Sequence, residues 1–312
     1  MNPVKNYILL FLKGIAMGSA DAVPGVSGGT IALLTGIYER LLGAIQSISP
    51  ATLRLLLQGK FRKFWKKVDG TFLIVLLTGI ALSLLSFARL ITKLLISHPI
   101  HIWSFFFGLI LISSYLVGKR IKHWNILTIL TLGAGAAIAY GITVLTPAQT
   151  PEAGWFIFLS GAIAVCAMIL PGISGSFILL MLGKYHFMME ALKAFDLKFI
   201  LIFMAGAVTG LLSFSRLIHW MLKHFHDLTI GLLTGFMIGS LNKVWPWKEV
   251  LATRINSKGL EVPLLEKSIL PQQYEALYQK ETFLVPGICI ALLAIAAVYG
   301  IEFWANKKQK TA

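Results

Sequence analysis

Two apolar stretches of this chain, 5–45 and 155–190, are broken at their middles by the same residues. Gly14, Ala20, Pro24, Gly25, Ser27, Gly28, Gly36 and Tyr38 recur as Gly161, Ala167, Pro171, Gly172, Ser174, Gly175, Gly183 and Tyr185, each 147 positions later. Further on, Gly79 and the octet Leu84–Ile91 recur as Gly206 and Leu211–Ile218, at an offset of 127 and with Ser215 in place of Ala88, and Gly108 recurs as Gly235. The difference between the offsets is a basic loop that the first half alone carries. Chance likeness between apolar segments does not place proline, glycine and arginine alike. The chain is therefore two copies of one unit, with the halves falling at 1–150 and 151–312.

What surrounds the repeat is lipid. Only 13% of the 312 residues are charged, against about a quarter in soluble domains. Mean hydropathy is +0.78. Six segments, 71–96, 102–118, 125–145, 199–222, 228–242 and 284–304, read as spans, each on a run of apolar residues. Proline and clustered glycine break a helix, so each interrupted stretch reads as a re-entrant hairpin of two short helices around an unwound tip. At membrane depth such a tip must be buried in protein or line a watery cavity. Tyr7–Leu12 is too short an apolar run, with Lys13 behind it, to be a cleaved signal, and reads as part of the fold. Cys166 and Cys289 lie in apolar runs and read as buried thiols.

The net charge of +15 sits between the spans, where it sets orientation and meets anionic inner-leaflet headgroups; nucleic acid is not indicated. Loop 51–68 carries Arg54, Lys60, Arg62, Lys63, Lys66 and Lys67 with no acid. It is expected on the cytoplasmic side, as an amphipathic helix on the inner leaflet. Loops 97–101 and 146–154 have no lysine or arginine and are expected outside. Lys119, Arg120, Lys122, Lys223 and the tail Lys307, Lys308, Lys310 are expected inside, and the mixed-charge loop 243–283 outside. Both termini are then cytoplasmic. Each half crosses an odd number of times, so the second copy lies inverted relative to the first. The expected fold is an all-α polytopic membrane protein of two inverted-topology repeats, each with one broken hairpin and three spans. This is the architecture of many secondary transporters.

Arg89 and Arg216 occupy matching positions inside spans. Each either snorkels to the interface or serves function, because a guanidinium in the membrane is costly and grips phosphate well. Helices starting near Gly28, Gly29, Thr30 and near Gly175, Ser176 would aim free N–H groups at a cavity. Ser27, Thr30, Ser174 and Ser176 add hydroxyls; the alternative is a purely structural break. Asp21, whose counterpart is Met168, is a candidate carrier of a coupling proton or sodium ion. It could equally pair with an arginine or cap the broken helix. Glu39 is either a second coupling group or a solvated interfacial acid. Histidines 98, 101, 123, 219, 224 and 226 sit at span ends, with His219 near Arg216. Trp103, Trp124, Trp155, Trp220, Trp245 and Trp247 read as an aromatic belt.

The stretch from Gly14 through Asp21, Pro24, Gly25, Ser27, Gly28, Gly29 and Thr30 to Gly36-Ile37-Tyr38-Glu39 resembles a bacterial and archaeal membrane family assigned to polyprenyl-phosphate transport, in particular undecaprenyl phosphate recycling. The resemblance covers nearly the whole chain. It implies a non-enzymatic, flippase-like carrier in the bacterial cytoplasmic membrane, with the lipid phosphate as cargo and no cofactor beyond a coupling ion. The family motif maps onto Asp21, Pro24, Gly25, Ser27, Gly28, Gly29, Thr30 and Glu39. The second hairpin departs from it at Met168 and Ser176. Two rivals remain at this level: a prenyl-pyrophosphate phosphatase using Ser27 or Ser174 as nucleophile, and a small-anion channel or exchanger.

Overall fold

The computed structural model describes residues 3–23, 25–255 and 261–310. Pro24, the proline of the first break, and the side chain of Arg89 lie outside the described residues. The first half runs α1 (Pro3–Asp21), α2 (Gly28–Leu34), α3 (Tyr38–Gln46), α4 (Pro50–Leu57), α5 (Phe61–Lys67), α6 (Gly70–Ser97), α7 (Pro99–Gly118) and α8 (Ile126–Val144). The second runs α9 (Gly154–Ile169), α10 (Gly175–Met181), α11 (Tyr185–Lys193), α12 (Leu197–His224) and α13 (His226–Ser240). Strands β1 (Lys248–Ile255) and β2 (Glu261–Ser268), then α14 (Pro271–Tyr278) and α15 (Leu284–Lys310), complete it.

The duplication extends to backbone conformation. Gly25 and Gly172 hold φ of +89° and +84° at the two tips. Gly36 and Gly183 hold +72° and +65°, each eleven residues on. These second left-handed glycines stop α2 and α10 after two turns, as glycine does at helix ends. Each hairpin therefore breaks twice, into three helices where two were expected. Helices α6 and α12 are both 28 residues long and end on equivalent residues, His98 at φ −138° and Phe225 at φ −134°.

Packing repeats as well. Helix α1 lies along α6, and α9 along α12. A Cβ on Gly14 would strike the Leu76 carbonyl, and one on Gly79 the Phe11 carbonyl. In the second half Gly161 meets Phe203 and Gly206 meets Phe158 in the same way. Lipid tails are as apolar as leucine, so these helices are held by close backbone approach, which small residues permit. The remaining helices cross over between halves: α13 packs on α8, and α7 on α15. Gly235 and Gly239 press on the Leu132 and Ala136 carbonyls, and Gly108 on Ala291. Helices α7 and α13 thereby form the buried centre, touching each other.

Among the described residues, four helices are long and apolar enough to cross a membrane: Gly70–Phe87 of α6, α7, α8 and α12. Leu284–Gly300 of α15 is a shorter apolar run. The expected span 228–242 is α13, 15 residues long. It continues through tighter turns to Val244, with Lys243 N–H bonded to Ser240 and Val244 N–H to Leu241. Large apolar side chains on α6, α8, α12 and α15, such as Leu85, Leu130, Leu201 and Leu293, are exposed. The chain is a multi-pass, mostly helical membrane protein.

Other local expectations change as well. The fold is mostly helical, as expected, with one unforeseen addition: β1 and β2 pair antiparallel within 243–283, with an irregular register near Ala252. Trp245 and Trp247 are not belt residues. Their indoles donate to the Ile269 and Thr282 carbonyls at 2.9 and 2.8 Å, tying the ribbon segment down. The basic loop is two short helices, α4 and α5, parted at Gly59 with φ +70°. The two cysteines are not the buried thiols expected: Cys166 is half-buried and Cys289, on α15, is exposed.

Candidate functional site

The first tip closes on itself. Helix α1 ends at Asp21, whose Oδ1 accepts from the Gly28 N–H at 2.6 Å. A side chain on Gly28 would overlap that carboxylate. Ser27 is the N-cap of α2 and accepts from the Gly29 N–H at 3.0 Å. The first N–H groups of α2 are thus already bonded within the tip. Of the roles open to Asp21, the structure displays the cap; no arginine pairs with it among the described residues.

The two tips meet. Ser27 Oγ donates to the Met168 carbonyl at 3.1 Å, and Tyr38 Oη to the Ile169 carbonyl at 3.2 Å. The Gly172 N–H donates to Thr30 Oγ1 at 3.0 Å. Gly29 lies against the Ile169 carbonyl, where a Cβ would not fit. Ser27 and Thr30 are fully buried. Side chains of the first tip therefore hold the unwound backbone of the second. Ser27, the nucleophile of the phosphatase alternative, has its hydroxyl committed to that carbonyl. Thr30→Val should leave the Gly172 amide buried and unpaired, at a cost of about 1–3 kcal/mol. A thermal unfolding midpoint in detergent equal to wild type would show that this contact does not hold the tips.

The second tip is more open. Ser174 caps α10, accepting from Phe177 N–H at 3.4 Å and sharing a 2.8 Å hydrogen bond with Ser176. Gly175 is half-buried; Ser176 and Met168 are exposed. The far ends of α2 and α10 are held differently. Lys13 Nζ and Arg120 Nη2 bond the Thr35 and Leu34 carbonyls at 2.8 and 2.9 Å. The equivalent carbonyls, Leu182 and Met181, receive the Thr150 hydroxyl and the Ala148 N–H. Buried Lys184 then bonds the Thr150 carbonyl at 2.7 Å.

Arg216 is not drawn to the tips. Its exposed guanidinium donates to the Ile48 carbonyl at 3.2 Å, just beyond α3. Glu39 is exposed in the first turn of α3. His219 packs near Gly43 with its Nδ1 buried and unpaired.

Two lysines complete the site, and sequence reasoning passed over them. Lys243 lies against Gly25 of the first tip and over the Phe177 ring of α10, its ammonium 4.8 Å from the centroid. It pairs with Glu266 Oε2 at 3.0 Å, and Lys248 approaches the same oxygen at 3.6 Å. Burial pushes Lys248 down to about 8, with Glu266 pulling the other way. Burial also works to raise the Glu266 carboxyl, but the two lysines outweigh it and hold it below the usual glutamate range. The available signal is local: Lys243-Val-Trp-Pro-Trp-Lys248 sets two cations around rigid aromatic chain.

A family model described as Undecaprenyl phosphate translocase-like matches residues 17–262. A Vibrio cholerae serotype O1 protein named "Polyprenyl-phosphate transporter" is 48% identical over 302 residues, which is 97% of this chain and 98% of that protein. A Staphylococcus aureus protein of the same name is 36% identical over 258 residues, covering 75% of this chain and 85% of that protein. No solved structure matches the chain. The matched segment takes in both hairpin tips, the central helices and the lysines above, and the chain belongs to the undecaprenyl phosphate translocase-like family.

Proposed function

We propose that this protein carries polyprenyl phosphate, the undecaprenyl form in particular, across the bacterial cytoplasmic membrane so that the lipid carrier can be reused in envelope synthesis. The observation that carries this is the near-full-length likeness to a protein named for that transport. Two broken hairpins meeting tip to tip between crossed-over helices supply a suitable frame. Units 1–150 and 151–312 act as inverted repeats with both termini cytoplasmic. In support, the end of α2 is held by two cations, Lys13 and Arg120, while the equivalent end of α10 is held by 146–154, which has no lysine or arginine, with buried Lys184 the cation beside it.

In this reading the tips part to admit the headgroup. Ser27, Gly28, Gly29 and Thr30 of one tip and Ser174, Gly175 and Ser176 of the other then face the phosphate, whose prenyl tail stays in lipid. Arg89 and Arg216 receive it in successive access states, and Asp21, with Glu39 at the hairpin's far end, couples the cycle to a proton or sodium ion. The protein performs no bond chemistry. Leaflet-resolved measurement of undecaprenyl phosphate in proteoliposomes tests this. Protein-dependent movement between leaflets, faster under an ion gradient, is expected. Movement equal to protein-free vesicles, or release of phosphate from prenyl pyrophosphate, would sink it.

A further inference from the structure

Lys243, Lys248 and Glu266 form a charge-unbalanced cluster beside the tips. Their side chains are 15%, 7% and 16% exposed. Both ammonium groups converge on one carboxylate oxygen, so two cations share a single anion in a largely dry site. A buried charge without full compensation is costly. Neutral groups offset part of this: Lys248 Nζ donates to the Lys243 carbonyl and lies 4.9 Å from the centroid of the Trp103 ring. The anion arrives from outside the helical body, on β2. A two-stranded ribbon is marginal alone, and this one is anchored near its base by Ser268, which donates to the Asn242 carbonyl at 3.2 Å, and by Trp245. Lys243, in contrast, is fixed between Gly25 of one tip and Phe177 of the other.

We propose that Lys243 and Lys248 form an anion subsite for the phosphate monoester of the lipid cargo, which Glu266 fills in this structure as a removable internal substitute. The proposal rests on the transport reading and gives it a headgroup contact. A phosphate monoester carries about −1.5 to −2 charges near neutral pH and three acceptor oxygens. It therefore compensates two lysines better than one carboxylate can. Both anions need the same two donors, so cargo and ribbon contact exclude each other here. Headgroup binding loosens β2, and a docked β2 weakens headgroup binding by the same factor.

The test uses the full-length protein in nanodiscs, with polyprenyl monophosphate and the matching polyprenol as probes. Wild type should bind the phosphate form in preference, and amides around Glu266 on β2 should exchange faster when it is bound. Glu266→Gln should bind about tenfold tighter and Lys243→Gln about tenfold weaker, one charge-assisted contact each way. Unchanged or slower β2 exchange at saturating lipid would overturn the proposal with no substitution involved. So would Glu266→Gln binding no tighter than wild type at an unchanged melting temperature. The same β2 response to inorganic phosphate alone would assign the site to a small anion and overturn the lipid assignment. Wild type showing no preference for the phosphate form would bring down the transport reading itself. Preference retained with flat responses from both variants sinks the subsite alone.

Discussion

Gly206→Leu is expected to remove the folded protein from detergent extracts, while Gly133→Leu leaves it intact. Both glycines lie inside apolar helices, Gly206 on α12 and Gly133 on α8. They differ in what surrounds them. A Cβ at Gly206 would fall on the Phe158 carbonyl of α9, a backbone atom that cannot rotate away. At Gly133 nothing lies within 4 Å. The α9–α12 pair must then separate over much of its length, losing the close approach that holds helices together where no hydrophobic drive operates. Overpacking a tight core costs about 1–3 kcal/mol, and a backbone collision belongs at or beyond the upper end. Removing glycine from an open helical site should instead be neutral or stabilise by up to about 1 kcal/mol. Fluorescence-detected gel filtration and melting temperature measure both. Equal behaviour of the two variants would mean that α9 and α12 do not meet as described.

The equivalent collision in the first half, Gly79 on Phe11, shows why so much of this fold is legible in the sequence. Requirements that only glycine meets leave an imprint that duplication preserves. Gly25 and Gly172 sit at left-handed φ, and Gly14 and Gly161 against a carbonyl. The matching of Gly36 with Gly183 also marks the second break in each hairpin, although nothing in residue type says that an apolar run stops there. Contacts between the halves are less readable, because they are not duplicated. Thr30 accepts from Gly172, but its own counterpart is Phe177, which cannot hydrogen-bond and serves as a ring beneath Lys243. Arg216 shows the opposite failure. Its match to Arg89 suggests a shared role at the site, yet it bonds the Ile48 carbonyl, in a segment where the halves differ most. The ribbon escapes notice because β1 and β2 are short, carry consecutive rather than alternating apolar residues (Val250-Leu251-Ala252 and Leu264-Leu265) and include Pro263, and with it goes Glu266, the partner that gives Lys243 and Lys248 a meaning.

Asp21→Asn is expected to stop transport while leaving the fold in place, and it separates the cap that Asp21 forms from the coupling role proposed for it. Asp21 Oδ1 accepts from the Gly28 N–H at 2.6 Å. An asparagine carbonyl in the same place still accepts that bond, though more weakly, since ionised acceptors make hydrogen bonds roughly twice as strong as neutral ones. Asparagine cannot carry a proton on and off or offer a full negative charge to sodium. Asp21→Ala removes the cap as well, and should cost about 0.5–2 kcal/mol, as loss of helix caps does. An ionisable side chain among membrane helices is costly and is kept where it serves function. If Asp21 carries the coupling ion, Asp21→Asn should melt within a few degrees of wild type and move lipid phosphate about 100-fold more slowly, about 2.7 kcal/mol on the limiting barrier. The residual rate should no longer respond to pH or sodium. Asp21→Ala should then be equally inactive and less stable. If the cap is the whole role, Asp21→Asn transports normally with its ion dependence intact and Asp21→Ala alone is impaired, in proportion to its lost stability. That pattern would remove Asp21 from the coupling mechanism and leave it as a structural clasp between α1 and α2.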